Sequence, residues 1–67
     1  MKNRISELRK KNSLTQMDLA KSVGVSRQTI ISLENGKYNP SITLAYKLAK
    51  IFDTTIEELF IFDDIDL

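Results

Sequence analysis

Residues 15–36, TQMDLAKSVGVSRQTIISLENG, carry the reading on which the fold turns. Thr15 offers an N-cap hydroxyl and Asp18 stands three positions on, a capping-box spacing in which each side chain satisfies a free amide at a helix start. A helix therefore opens near Gln16. Leu19, Ala20 and Val23 recur on one face of it. Gly24 follows where the chain must leave with positive φ, a conformation costly to any residue with a Cβ. Val25 fills the turn and Ser26 supplies a second N-cap oxygen. Ile30 and Leu33 then form the inward edge of another helix, which stops before Asn35-Gly36. Ala20 is small where two steeply crossing helices come closest. The segment predicts two short helices joined by a tight turn.

That turn, with Gln16, Leu19, Ala20, Val23, Gly24, Val25, Ser26, Ile30, Leu33 and the run Glu34-Asn35-Gly36-Lys37, resembles the Cro/cI-like, or Xre, family of bacterial and phage helix-turn-helix regulators. A small residue four positions before a glycine carries little weight alone. Here it comes with correctly phased caps and apolar positions. The likeness extends from about residue 5 to about residue 60, leaving the last seven residues outside it. It implies an all-α fold: a compact five-helix bundle of the lambda-repressor-like DNA-binding type, with the helix-turn-helix at helices 2 and 3. It also implies a DNA-binding transcriptional regulator.

Composition agrees with one small domain. A chain of 67 residues buries only about 60% of its unfolded surface, so the core is modest. There is no cysteine to form a disulfide or a thiolate metal site, and no histidine to act as metal ligand or general base. No metal, cofactor or enzymatic activity is expected. No apolar run approaches the roughly 20 residues of a membrane span, and Met1-Lys2-Asn3-Arg4 is not followed by a signal-peptide apolar stretch. A cytoplasmic protein without membrane contact is expected. The charge is uneven: residues 1–50 hold ten basic and three acidic residues, a difference of +7, whereas residues 51–67 hold six acids and no base. A basic body suits a phosphate backbone, and an acidic end should point away from it.

The remaining segments read as helices around that motif. Ile5 and Leu8 set the inward edge of a first helix over residues 2–11, ended by Asn12-Ser13. Ser41 caps a fourth, in which Ile42, Leu44, Ala45, Leu48, Ala49, Ile51 and Phe52 are spread so widely that it should be the central and most buried helix. Thr54-Thr55 opens a short fifth helix over residues 56–60, with Glu57 or Glu58 completing its cap. No segment alternates as a strand before the tail. The expected division is a helix-turn-helix domain over residues 1–60 and an acidic, apolar C-terminal tail over residues 61–67.

Helical geometry selects the residues that would meet DNA. With Ile30 at zero and about 100° per residue, Gln28, Ser32 and Asn35 point roughly 140–160° away from it, and Arg27, Thr29 and Ile31 lie on the flanks. Gln pairs with adenine and Arg with guanine through two hydrogen bonds, and an aliphatic group meets a thymine methyl. Arg27, Gln28, Ile31 and Ser32 are therefore expected to read bases, at positions where the resembled family commonly reads sequence. Gln16, at a helix N-terminus, is placed to receive a phosphate. The resemblance implies that it contacts the DNA backbone, and that Asn35, Lys37, Tyr38 and Asn39 form a phosphate-gripping loop.

Arg9 sits roughly 40° from Ile5 on the first helix, and Glu34 holds the same relation to Ile30 on the third, so both charges border the core. An ion pair is expected between them, and the resemblance supports it. At the C-terminus, Ile56, Leu59, Phe60, Ile61 and Phe62 are too many apolar groups for one face of a short helix, and a dimer interface is expected there. Asp63-Asp64-Ile65-Asp66-Leu67 would be frayed or extended along that interface. The resulting expectation is a repressor that reads the major groove of a two-fold symmetric operator in double-stranded DNA as a homodimer. Alternatives are an antitoxin that binds its own promoter and holds a protein partner through the C-terminal segment, or a protein-interaction module on the same fold.

Overall fold

Four of the five helices among the described residues begin at a hydroxyl oxygen. Thr15, Ser26, Ser41 and Thr55 each accept a hydrogen bond from the amide three residues ahead, of Asp18, Thr29, Leu44 and Glu58 respectively. This satisfies one of the amides that a helix start leaves without an internal partner. A computed structural model of the chain describes residues 1–62, in the order β1 (Lys2–Asn3), α1 (Ile5–Lys11), α2 (Gln16–Val23), α3 (Arg27–Glu34), α4 (Ile42–Ile51), α5 (Ile56–Leu59) and β2 (Phe60–Ile61). Residues 63–67, and with them the expected acidic end of the tail, lie outside the described residues. Thr15 and Asp18 form a complete capping box, and at α5 it is Glu58 that returns to Thr55.

The helices stop as abruptly as they start. Ser13, Gly36 and Asp53 adopt left-handed φ of 58°, 73° and 52° just past α1, α3 and α4. In each case that residue's own amide and the following one fold back onto the last turn, the following one as in Leu14 to Arg9 O, Lys37 to Ser32 O and Thr54 to Ala49 O. Such short, sharply ended helices pack around one centre. Ile5, Leu19, Ile30, Leu33, Leu48 and Leu59 are each under 2% exposed, so every helix contributes at least one side chain to it. At about 1.5–3 kcal/mol per buried side chain, these contacts are the main force that sets the helix orientations.

The structure departs from the sequence reading at four places. The first helix starts at Ile5, because Lys2 and Asn3 form a two-residue antiparallel strand with Phe60 and Ile61, in register Lys2↔Ile61 and Asn3↔Phe60. The fifth helix ends at Leu59. Phe60 turns extended (φ −107°, ψ 138°), which buries its ring at 2% exposure and presents its backbone to Asn3. Ile61 thereby joins the body of the domain, one residue beyond the expected boundary. Finally, α4 is buried only along Leu44, Ala45, Leu48 and Ala49. Ile42 is 74% exposed, and Tyr46 and Ile51 are also outside, because neighbouring elements cover a single side of the helix.

Candidate nucleic-acid interface

The reading surface is built from the turn outward. Ala20, 1% exposed, lets α2 and α3 cross closely, and its carbonyl accepts both the Gly24 and Val25 amides at 2.9 and 3.0 Å. Gly24 holds φ 76° there, where a side chain would be strained. Ile30 and Leu33 pull one face of α3 into the core, leaving Arg27 and Gln28 exposed at its N-terminal end and Ile31 and Ser32 half-buried. Ser32 is less open than its helical angle suggests, since the chain folds back beside it and the Lys37 amide bonds its carbonyl at 3.0 Å. Asn35, Lys37, Tyr38 and Asn39 are exposed in the loop that follows.

A charged network fixes how α3 sits on the domain. Arg9 Nε donates to Glu34 Oε2 at 2.7 Å, and the two side chains are only 11% and 8% exposed. Arg9 Nη1 bonds the Leu14 carbonyl at 2.8 Å, and Gln16 Nε2 donates to Glu34 Oε1 at 3.1 Å. Sequence reasoning assigned Gln16 to DNA alone and missed this bond, which joins positions 18 apart and has no local signal. It also missed Asn3, whose amide donates to the Leu33 carbonyl at 2.8 Å. At the mouth of α2, the Thr15 amide and hydroxyl hold the Asp18 carboxyl below its ordinary range.

The family described as Helix-turn-helix matches residues 5–59. The chain belongs to that family, in its Cro/cI-like (Xre) branch. This helix-turn-helix protein is 60% identical over 67 residues to an uncharacterized HTH-type transcriptional regulator of Archaeoglobus fulgidus, spanning 100% of this chain and 96% of the relative. Its fold is similar to that of the restriction-modification controller protein C.AhdI from Aeromonas hydrophila, with a TM-score of 0.76 and 37% identity over 85% of this chain and 86% of that one. It is also similar to a chain of the SinR protein/SinI protein complex, with a TM-score of 0.72, 30% identity and coverage of 79% and 52%.

The helix-turn-helix protein treats its apolar C-terminal residues unequally. Leu59 and Phe60, at 0% and 2% exposure, belong to the protein's own core, and only an edge of Phe60 reaches the surface. This corrects their expected place in a dimer contact: β1 and α4 already supply the surface that covers them. Ile56 is half-buried against the core, Ile61 is half-buried in β2, and Phe62 is 42% exposed. Phe62 borders a cleft of about 230 Å³ that Pro40, Ile42, Ile56 and Phe60 also line. No helix among the described residues is long and apolar enough to cross a membrane.

Proposed function

We propose that the protein is a cytoplasmic, sequence-specific DNA-binding transcriptional regulator that represses as a homodimer on a two-fold symmetric operator. The observation that carries this reading is the exposed N-terminal end of α3, held rigidly by the Arg9–Glu34–Gln16 network and followed by an exposed loop bearing Lys37. Eight residues make α3 about 12 Å long, a length that fits a major groove about 12 Å wide. Arg27 and Gln28 have the chemistry to read base edges, with Ile31 and Ser32 beside them. Gln16, Asn35, Lys37, Tyr38 and Asn39 position the domain on phosphates. One such helix spans few base pairs, so specificity favours paired half-sites. The apolar surface of Ile42, Tyr46, Ile56 and Phe62 supports a second copy as the dimer partner. Repression needs only occupancy of the site. The role is binding without catalysis.

The same apolar surface favours one second reading, an antitoxin-like or adaptor role with a different protein seated there. Sedimentation separates the two: a chain that remains monomeric at micromolar concentration, yet binds single half-sites, favours the second. The primary test selects bound sequences from random duplexes and compares variants. Lys37→Ala should weaken all duplexes about equally, whereas Gln28→Ala should cost about 1–3 kcal/mol at one or two base positions. Equal loss of operator and random DNA in Gln28→Ala removes its role as a reader. Absence of any salt-dependent duplex binding removes the DNA-binding function itself.

A further inference from the structure

Helix α3 ends against the N-terminal strand, and one side chain makes most of that joint. Asn3 Nδ2 donates to Leu33 O at 2.8 Å and to Met1 O at 3.3 Å, while its Oδ1 accepts from the Ile5 amide at 3.0 Å. A single carboxamide thus ties the last turn of α3 to the first turn of α1, across 30 positions of sequence. Leu33 O already accepts the Gly36 amide at 3.0 Å within the helix end, so Asn3 is a second donor recruited from outside. Beside it, the Met1 nitrogen donates to Gly36 O at 2.8 Å, and a Cβ on Gly36 would come within 3.1 Å of Met1 O. The N-terminal strand therefore sits directly on the backbone that carries Lys37.

The other side of Asn3 is anchored to the core. Its backbone pairs with Phe60, and the Arg4 amide bonds Leu59 O at 2.8 Å; both partners are core residues. The joint transmits the position of the core to the exposed loop after α3. Resting on the DNA-binding reading above, we infer that Asn3 is a positioning residue for that function: by holding Leu33 O it sets where Gly36 and Lys37 meet the phosphate backbone. Phosphate contacts fix the register of a protein on the duplex, so a loop released at this point loses affinity without losing base preference.

The test compares Asn3→Ser with the unaltered chain on a selected operator and on a random duplex across a salt series. Serine is neutral and keeps an acceptor for the Ile5 amide, but is too short to reach Leu33 O. Positioning predicts a loss of about tenfold on both duplexes, unchanged base preference, and a slope of log K against log salt reduced by about 0.9, the value of one phosphate contact. In a Lys37→Ala background the Asn3→Ser change should become nearly silent. A lower melting temperature with unchanged affinity and slope overturns the inference, since a purely structural joint behaves that way. If Asn3→Ser melts below the assay temperature, Asn3→Asp is read through the same cycle. Repulsion of DNA by the new carboxylate persists without Lys37, whereas a positioning effect vanishes, and persistence of the whole loss overturns the role. An unaltered chain that binds no duplex overturns the DNA-binding reading, whereas an unaltered chain that binds while Asn3→Ser keeps its slope overturns the positioning role alone.

Discussion

Glu34→Leu is expected to be among the most damaging single changes outside the apolar core. The carboxylate accepts from Arg9 Nε at 2.7 Å, Arg9 Nη2 at 3.5 Å and Gln16 Nε2 at 3.1 Å, and its side chain is 8% exposed. Without it, Arg9 keeps only the Leu14 carbonyl and remains 11% exposed, a charge held nearly out of water. Breaking such a pair costs about 3–5 kcal/mol. The surviving Leu14 bond argues for the lower end, about 3 kcal/mol, with the stranded Gln16 amide included. A domain of 67 residues has a total stability of only about 3–10 kcal/mol. The melting temperature should therefore fall by about 12–24 °C. Arg9→Met with Glu34→Leu should recover most of that loss, because two apolar groups of similar volume need no compensation. Urea and thermal melts of the two single variants and the double variant measure the coupling directly. Single losses that simply add, or a Glu34→Leu loss under about 1 kcal/mol, would refute the account of a buried and mutually dependent pair.

Phe60→Ala should cost about 3–5 kcal/mol in denaturant melts and leave little folded chain. Phe62→Ser, at an exposed position, should leave the melt within about 0.5 kcal/mol while reducing the dimer mass in sedimentation. Gly24→Ala and Gly36→Ala both place a Cβ at positive φ. The second should lower stability more, by about 2 against about 1 kcal/mol, because only Gly36 has a neighbour, Met1 O at 3.1 Å. Ser13→Gly should raise stability by about 0.5–1 kcal/mol by relieving a left-handed serine at φ 58°. The Asp18 carboxyl is held below its ordinary value of 3.8, chiefly by the Thr15 amide. Its stabilising effect is therefore present above that value and lost as pH falls through the lowered one. Asp18→Asn should flatten the decline in melting temperature as pH falls below the ordinary value of 3.8.

The helix-turn-helix was legible because its signals are local. A capping box spans four residues, a left-handed glycine declares itself, and apolar spacing needs one turn of helix to register. The facing of Arg9 and Glu34 was legible for a related reason: each lies beside a core isoleucine at the same helical angle, so both were constrained to the α1–α3 border. The β1–β2 pair left no such trace, since two residues are too few to alternate and their partners lie at the other end of the chain. The same holds for Asn3 on Leu33 O and Gln16 on Glu34, polar contacts across 30 and 18 positions. The fate of the apolar run at residues 56–62 also depended on tertiary packing. Hydrophobicity alone ranks Phe60 and Phe62 equally, but Phe60 is the first residue of β2 and is covered by the core, whereas Phe62 lies past the end of the strand and stays 42% exposed at the edge of the cleft. Local chemistry thus accounts for where each helix begins and ends, whereas the joints between distant segments exist only once the core has brought their backbones within hydrogen-bonding distance.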